Sequence, residues 1–200
     1  MSLHSRHSGQ HGLTRGILAL EIVSIMLAVA LGFLVTEWRE GLADSRRSRA
    51  ALNAIKAEIS MNREHLGDRV PYYAHLVSEL NELAAIDGEA QFTGGELDGW
   101  RGLNPPFLHQ AAYEAASATG ALSHMDFDVV SRVAEAYLAQ EMVDSTFDWA
   151  LQSALTGQLE TRSDAQRAFY LMLEASQLAV GTYDSVLQSL GSKMTGDETE

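Results

Sequence analysis

Hydrophobic positions follow three different patterns along this chain. The first is unbroken. Gly16 to Val35 reads GILALEIVSIMLAVALGFLV, apolar on every side with one charge, Glu21. At helical rise these roughly 20 residues span roughly 30 Å, the thickness of a bilayer's hydrocarbon core. The run therefore predicts one transmembrane helix over 16–36. Ala28-Val29-Ala30 resembles a signal-peptide cleavage site, but the apolar run continues through Leu31, Phe33, Leu34 and Val35, and Glu21 interrupts the apolar region a signal peptide needs. An uncleaved anchor is expected, with Arg15 at one end and Trp38 and Arg39 at the other as interfacial anchors.

The second pattern is a narrow stripe. Leu52, Ile55, Ile59, Asn62 and Leu66 recur at spacings of three and four, a helical seam with one polar position. With no proline before Pro71, the anchor is expected to run on as a stem helix over 37–70.

The third pattern is intermittent. Leu76, Leu80 and Leu83 mark a helix stopping near Asp87-Gly88. Residues 88–106 hold five of the 16 glycines and two of the three prolines, which predicts a long loop, with Trp100 and Phe107 pinning its end to the core. An alanine-rich helix follows over 109–118. Another opens at Asp126 or Asp128 with Val129, Val130, Val133 and Tyr137 on its apolar side. Phe147, Leu151 and Leu155 continue or restart it, Gly157 closes it, and Tyr137 and Trp149 are expected in the core. A last helix from Ser163 to about Leu190 carries Phe169, Met172 or Leu173, Leu178, Val186 and Leu190, with Gly191 placed for its C-cap.

No stretch alternates with period two long enough for a sheet. The fold class is thus all-α: one N-terminal transmembrane helix continuing into a stem helix, then an antiparallel helical bundle. The expected divisions are a flexible tail over 1–15, the transmembrane helix over 16–36, the stem over 37–70, an acidic bundle over 71–192 with its loop at 88–106, and a disordered acidic tail over 193–200.

Within the first run, Ser24, Ala28 and Gly32 fall four apart, with Thr36 continuing the line. Small residues at this spacing let two helix backbones approach closely. Glu21, three residues before Ser24, lies on roughly the same face. Glu21, Ser24, Ala28, Gly32 and Thr36 therefore make a candidate helix-pairing face, and a homo-oligomer or a membrane partner subunit is the expected partner beside the lipid bilayer itself.

Charge changes the picture of the distal part. The net charge of −13 is uneven: residues 37–70 carry 7 basic and 6 acidic groups, and residues 71–200 carry 5 basic and 20 acidic. So anionic a domain repels nucleic acid, and nucleic-acid binding is set aside. The chain has no cysteine, which excludes disulfides, thiolate metal sites and cysteine nucleophiles.

Candidate chemistry is thin. His4, His7 and His11 sit in the N-terminal tail at metal-ligand spacing, and His124, Asp126 and Asp128 form an H-x-D-x-D run. The first set lacks a carboxylate partner, and Asp before a helix is an ordinary cap. His65, His75 and His109 with Glu64, Glu79 or Glu114 offer acid/base pairs only if the fold gathers them. Gly94-Gly95 lacks the Lys and Ser/Thr of a phosphate loop. The reading is no catalytic residue, no cofactor, no metal, and no enzyme.

Glu21-Ile22-Val23, Gly32, Glu37-Trp38-Arg39-Glu40 and an Arg/Ala-rich stem resemble the N-termini of uncharacterised bacterial single-span membrane proteins, where an E-I-V start, a mid-span glycine and a W-x-E exit recur. The A-A-Y-E-A-A-S-A-T-G-A-L stretch followed by Tyr137 is similar to them too. The resemblance covers about 50 residues well and implies a bacterial inner (cytoplasmic) membrane location, with no activity or functional residues to carry over. It implies an extracytoplasmic C-terminal domain, toward which the reading leans, although the Lys and Arg count beside the span favours the cytoplasmic side. The functional expectation is a membrane-anchored helical interaction or scaffold protein, a subunit or partner in a membrane assembly. The alternatives are a membrane-tethered sensor or small-ligand-binding bundle, and behind it a carboxylate/histidine enzyme.

Overall fold

A computed structural model describes residues 10–196, with side chains placed for residue 21 and for 23–191. Five α-helices account for most of it: α1 (Gln10–Gly67), α2 (Val70–Asp87), α3 (Ala111–Ala118), α4 (Phe127–Leu155) and α5 (Arg162–Gly196), with short 3-10 turns at Gly94–Glu96 and Ala121–His124. Among the described residues there is no strand, only an isolated bridge between Gln91 and Thr161. The all-helical expectation holds.

The chain divides into two units, Met1–Arg47 and Ser48–Glu200, and the boundary falls inside α1. In the first unit the described residues form the earlier part of that helix. Here the membrane reading is corrected. Among the described residues, no helix is long and apolar enough to cross a membrane. Within the 16–36 segment, the side chains of residues 16–20 and 22 lie outside the described ones. The transmembrane helix and the single-pass inner-membrane location are therefore withdrawn, which leaves the interfacial anchor role expected of Arg15, Trp38 and Arg39 without its span; the side chain of Arg15 lies outside the described ones. The tail histidines His4 and His7 and residues 197–200 lie outside the described residues, as does the side chain of His11.

The second unit is a helical bundle built on the stem seam. Ile55, Ile59 and Leu66 are fully or almost fully buried, and so is Asn62, the polar position among them. Residues 48–67 thus serve as the bundle's first helix. A two-residue turn at Asp68-Arg69 interrupts the helix without reversing it, since Tyr73 packs on Phe147 further along the line that Glu58–Tyr137 and Asn62–Gln140 begin. Pro71 sits in the first turn of α2, where its missing N–H costs nothing. Helix directions follow from cross-contacts. Glu58 meets Tyr137 and Asn62 meets Gln140, so α4 runs parallel to α1. Lys56 reaches the Leu190 carbonyl and Arg63 pairs with Asp184, so α5 runs antiparallel to both. Ser163 N–H donates to the Gly88 carbonyl and Gln166 to Asn81, which sets α2 against α5.

The core seam of α4 is Val129, Val133, Ala136, Gln140, Val143, Phe147 and Ala150, spaced four and three throughout. Leu151, Leu155 and Leu178, expected inside, are exposed instead. Alanine lines much of the α4 and α5 seams, alongside the larger Val143, Phe147, Phe169 and Met172. Gly157, at φ +73°, takes the left-handed conformation that ends α4, and α5 continues through Gly191 to Gly196.

Candidate functional site

Three regions carry the features a function needs. The first is the apolar stretch of α1. From Val23 to Val35 the large side chains are 53–70 % exposed, and Trp38 is exposed as well. On the small-residue face, a Cβ built on Gly32 would meet nothing within 4 Å. Thr36 Oγ1 donates to the Gly32 carbonyl at 3.0 Å, the ordinary way a helical threonine satisfies its hydroxyl, so this face presents no unsatisfied hydroxyl there. Glu21 is exposed at one end of it.

The second region is a buried polar clasp. The Glu58 carboxylate accepts from the Tyr137 hydroxyl at 2.5 Å and from the backbone N–H groups of Ala112 (2.8 Å) and Tyr113 (3.4 Å). Those two amides belong to the open first turn of α3, so a carboxylate from another helix does the work of an N-cap. One turn along α1, Asn62 accepts from His109 N–H at 2.8 Å and donates to the His109 carbonyl at 2.7 Å and to Gln140 at 2.9 Å. Tyr113 stacks on Tyr137, ring centroids 4.3 Å apart. Burial, then the Glu58 hydrogen bond and charge, push the Tyr137 hydroxyl above the ordinary phenol range, which keeps it a proton donor. Every partner in this network is a neighbouring protein group, and its effect is to seat α3 and the segment before it on the bundle.

The 88–106 loop is tied down in the same way. Tyr72 and Tyr73 donate to the carbonyls of Gly102 (2.6 Å) and Asn104 (2.7 Å), and Glu79 accepts from Asp98 N–H at 2.9 Å. Arg162 pairs with Glu96 at 2.8 Å. The two aromatics bracketing the loop part company. Trp100 packs edge-on against Phe92 and Phe169, and Gly94 gives it room, since a Cβ there would collide with the indole. Phe107 is 73 % exposed and touches the His109 ring.

Of the histidines, the fold brings His65 and His109 together, ring centroids 5.8 Å apart, with His65 Nδ1 3.0 Å from the Phe107 carbonyl. His75 lies 3.7 Å from Glu79 on an exposed helix face. Asp126 holds the N-cap position of α4 with no side-chain cap bond. Among the described residues, no group of three or more His, Asp or Glu side chains is placed to share a metal ion.

The third region is a surface groove of about 510 Å³ between α4 and α5. Trp149 lies in it, 42 % exposed, where the sequence pattern had placed it in the core. Glu58 and Gln140 also escaped the sequence reading. Glu58 could have been found, because it stands three after Ile55 and four before Asn62, on the seam's own spacing. Gln140 offered no such signal until the α4 seam was known. No protein-family model, no curated protein and no solved structure matches this chain.

Proposed function

We propose that this chain is a helical interaction protein that works as a homo-oligomer, joined through the small-residue face of α1. The observation that carries the reading is the continuous apolar surface from Val23 to Val35, whose large side chains are exposed. Contiguous exposed apolar surface of this kind marks an interaction site. The face made by Ser24, Ala28 and Gly32, continued by Thr36 and flanked by Glu21, carries small side chains at helical spacing, and these allow the closest backbone approach. A second copy presents the same segment and the same face, which a two-fold pairing requires.

The absence of cysteine makes the test direct. Single-thiol variants Ala28→Cys and Ala30→Cys place a sulfur on the proposed face and on the opposite one. Under mild oxidation, Ala28→Cys forms disulfide-linked dimers rapidly and Ala30→Cys does not. The double variant Ala28→Leu/Gly32→Leu, followed by sedimentation equilibrium, shifts the chain toward monomer. Equal cross-linking at both positions, or an unchanged assembly state in the leucine variant, overturns the reading.

A further inference from the structure

Helix α4 carries two seams, and only one is used inside the bundle. Beside the buried seam runs an outer line, Leu138, Met142, Ser145 and Trp149, at spacings of four, three and four. Leu171, Glu174 and Leu178 repeat the arrangement on α5. All seven side chains are exposed, and six of them from Met142 to Leu178 contribute to the walls of the α4–α5 groove. From Leu138 to Trp149 is roughly 16 Å along the helix, the length of three turns. Met142 and Trp149 are side-chain types that adapt to a helical ligand, the one by flexibility and the other by area.

Charge selects the occupant. The stretches 138–149 and 171–182 contain Glu141, Asp144, Asp148 and Glu174, and no lysine or arginine. Partial burial, then the neighbouring Asp148, hold the Asp144 carboxyl above its usual range, as expected where no cation offsets the acids. On α4 and α5 the basic residues closest in sequence to these stretches are Arg132, paired with Glu135 at 2.9 Å, and Arg167, while Arg63 of α1 is paired with Asp184. A second copy laid on this groove would set acid against acid, and a polyanion would be repelled.

We propose that the α4–α5 groove docks a basic amphipathic helix of a partner protein, its apolar stripe over Met142, Trp149 and Leu178 and its Lys or Arg residues beside Glu174, Glu141 and Asp148. This is the helix-in-groove mode of recognition, with anchors at i, i+3 or i+4 and i+7. It uses a different surface from the α1 face and stands whether or not that face pairs.

The probe is a 14-residue synthetic Leu/Lys amphipathic helix, titrated into the full chain with tryptophan emission as the readout. Two control peptides accompany it, a Leu/Glu helix of the same pattern and a Ser/Lys peptide of the same charge. The Leu/Lys peptide shifts the emission, and the shift disappears in Trp149→Phe. Leu178→Lys and Glu174→Lys each weaken binding at least tenfold, whereas Ile86→Lys, an exposed site on α2, leaves it unchanged; thermal melts confirm that each variant folds. The proposal is overturned if Trp149 does not respond, if the Leu/Glu peptide binds equally, or if the Ser/Lys peptide binds equally. It is likewise overturned if Trp149 responds to protein concentration alone, which would assign the groove to a second copy.

Discussion

Two parts of one helix contrast sharply. Between Val23 and Val35, α1 is apolar in nearly every direction and its large side chains are exposed. Between Ser48 and Gly67 the same helix has only a narrow apolar seam, and Ile55, Ile59 and Leu66 on it are buried. Greater hydrophobicity did not bring greater burial. A helix docks in a bundle when one stripe is apolar and the rest is content in water. A segment apolar on all sides cannot be satisfied by one neighbour's face, so a compact unit does not absorb it.

The sharpest test of this contrast is a matched pair of truncations. Ile59→Ala removes a buried side chain and leaves a cavity, and should cost about 3 kcal/mol in chemical denaturation. Ile25→Ala, on the exposed stretch, should change the same transition by less than about 0.5 kcal/mol. Comparable losses from the two would show that both parts of α1 are packed alike.

Next in size is the clasp that separates the buried part of α1 from an ordinary leucine seam. Glu58→Ala strands the Tyr137 hydroxyl and two α3 amides in a buried site, and should cost about 2–3 kcal/mol. Amide exchange should rise first at Ala112 and Tyr113, whose N–H groups lose their acceptor. Uniform exchange across the bundle would deny Glu58 its capping role.

Tyr183 is the converse case. Its ring is buried, yet its hydroxyl has no hydrogen-bond partner among the described residues. Burial, then Asp144, raise its pKa, so it stays neutral. Tyr183→Phe removes a desolvated polar atom and nothing else, so stability should hold or rise slightly, by up to about 1 kcal/mol. A loss as large as that of Glu58→Ala would mean the hydroxyl is bonded.

The smallest effect is a pH dependence from the loop. Thr93, then Arg162, lower the Glu96 pKa in the fold. A carboxylate with a depressed folded pKa stabilises above its unfolded value and loses that contribution as pH falls through its folded one. Glu96→Gln should therefore flatten slightly the fall in stability on the acid side of the ordinary carboxylate range. Parallel acid titrations of the two proteins would assign the Glu96 contribution to another carboxylate.

How much of this was legible in the sequence depends on whether a feature is local. The α1 seam was legible because Leu52, Ile55, Ile59 and Leu66 keep their spacing without interruption. The α4 seam was not. Leu151 and Leu155 outrank Ala136, Ala139 and Ala150 in hydrophobicity, but the alanines are inside, because they share the stripe that buries Val143 and Phe147 and the two leucines do not. Trp149 misled for the same reason, its apolar character saying nothing about which of two stripes it occupied. The membrane-spanning reading rested on the length of the apolar run, and among the described residues no helix is long and apolar enough to cross a membrane.

The sequence by itself determined the all-helical class, the imbalance of charge between the two ends and the small-residue face of α1, since each is a property of neighbours along one helix. Only the tertiary structure decided that Glu58 caps α3, that Asn62 and Gln140 meet, and that Met142, Trp149 and Leu178 border one groove. Those groups lie far apart in the chain, and their meeting depends on the register in which whole helices pack, which is set by the sum of many small contacts and by no residue alone.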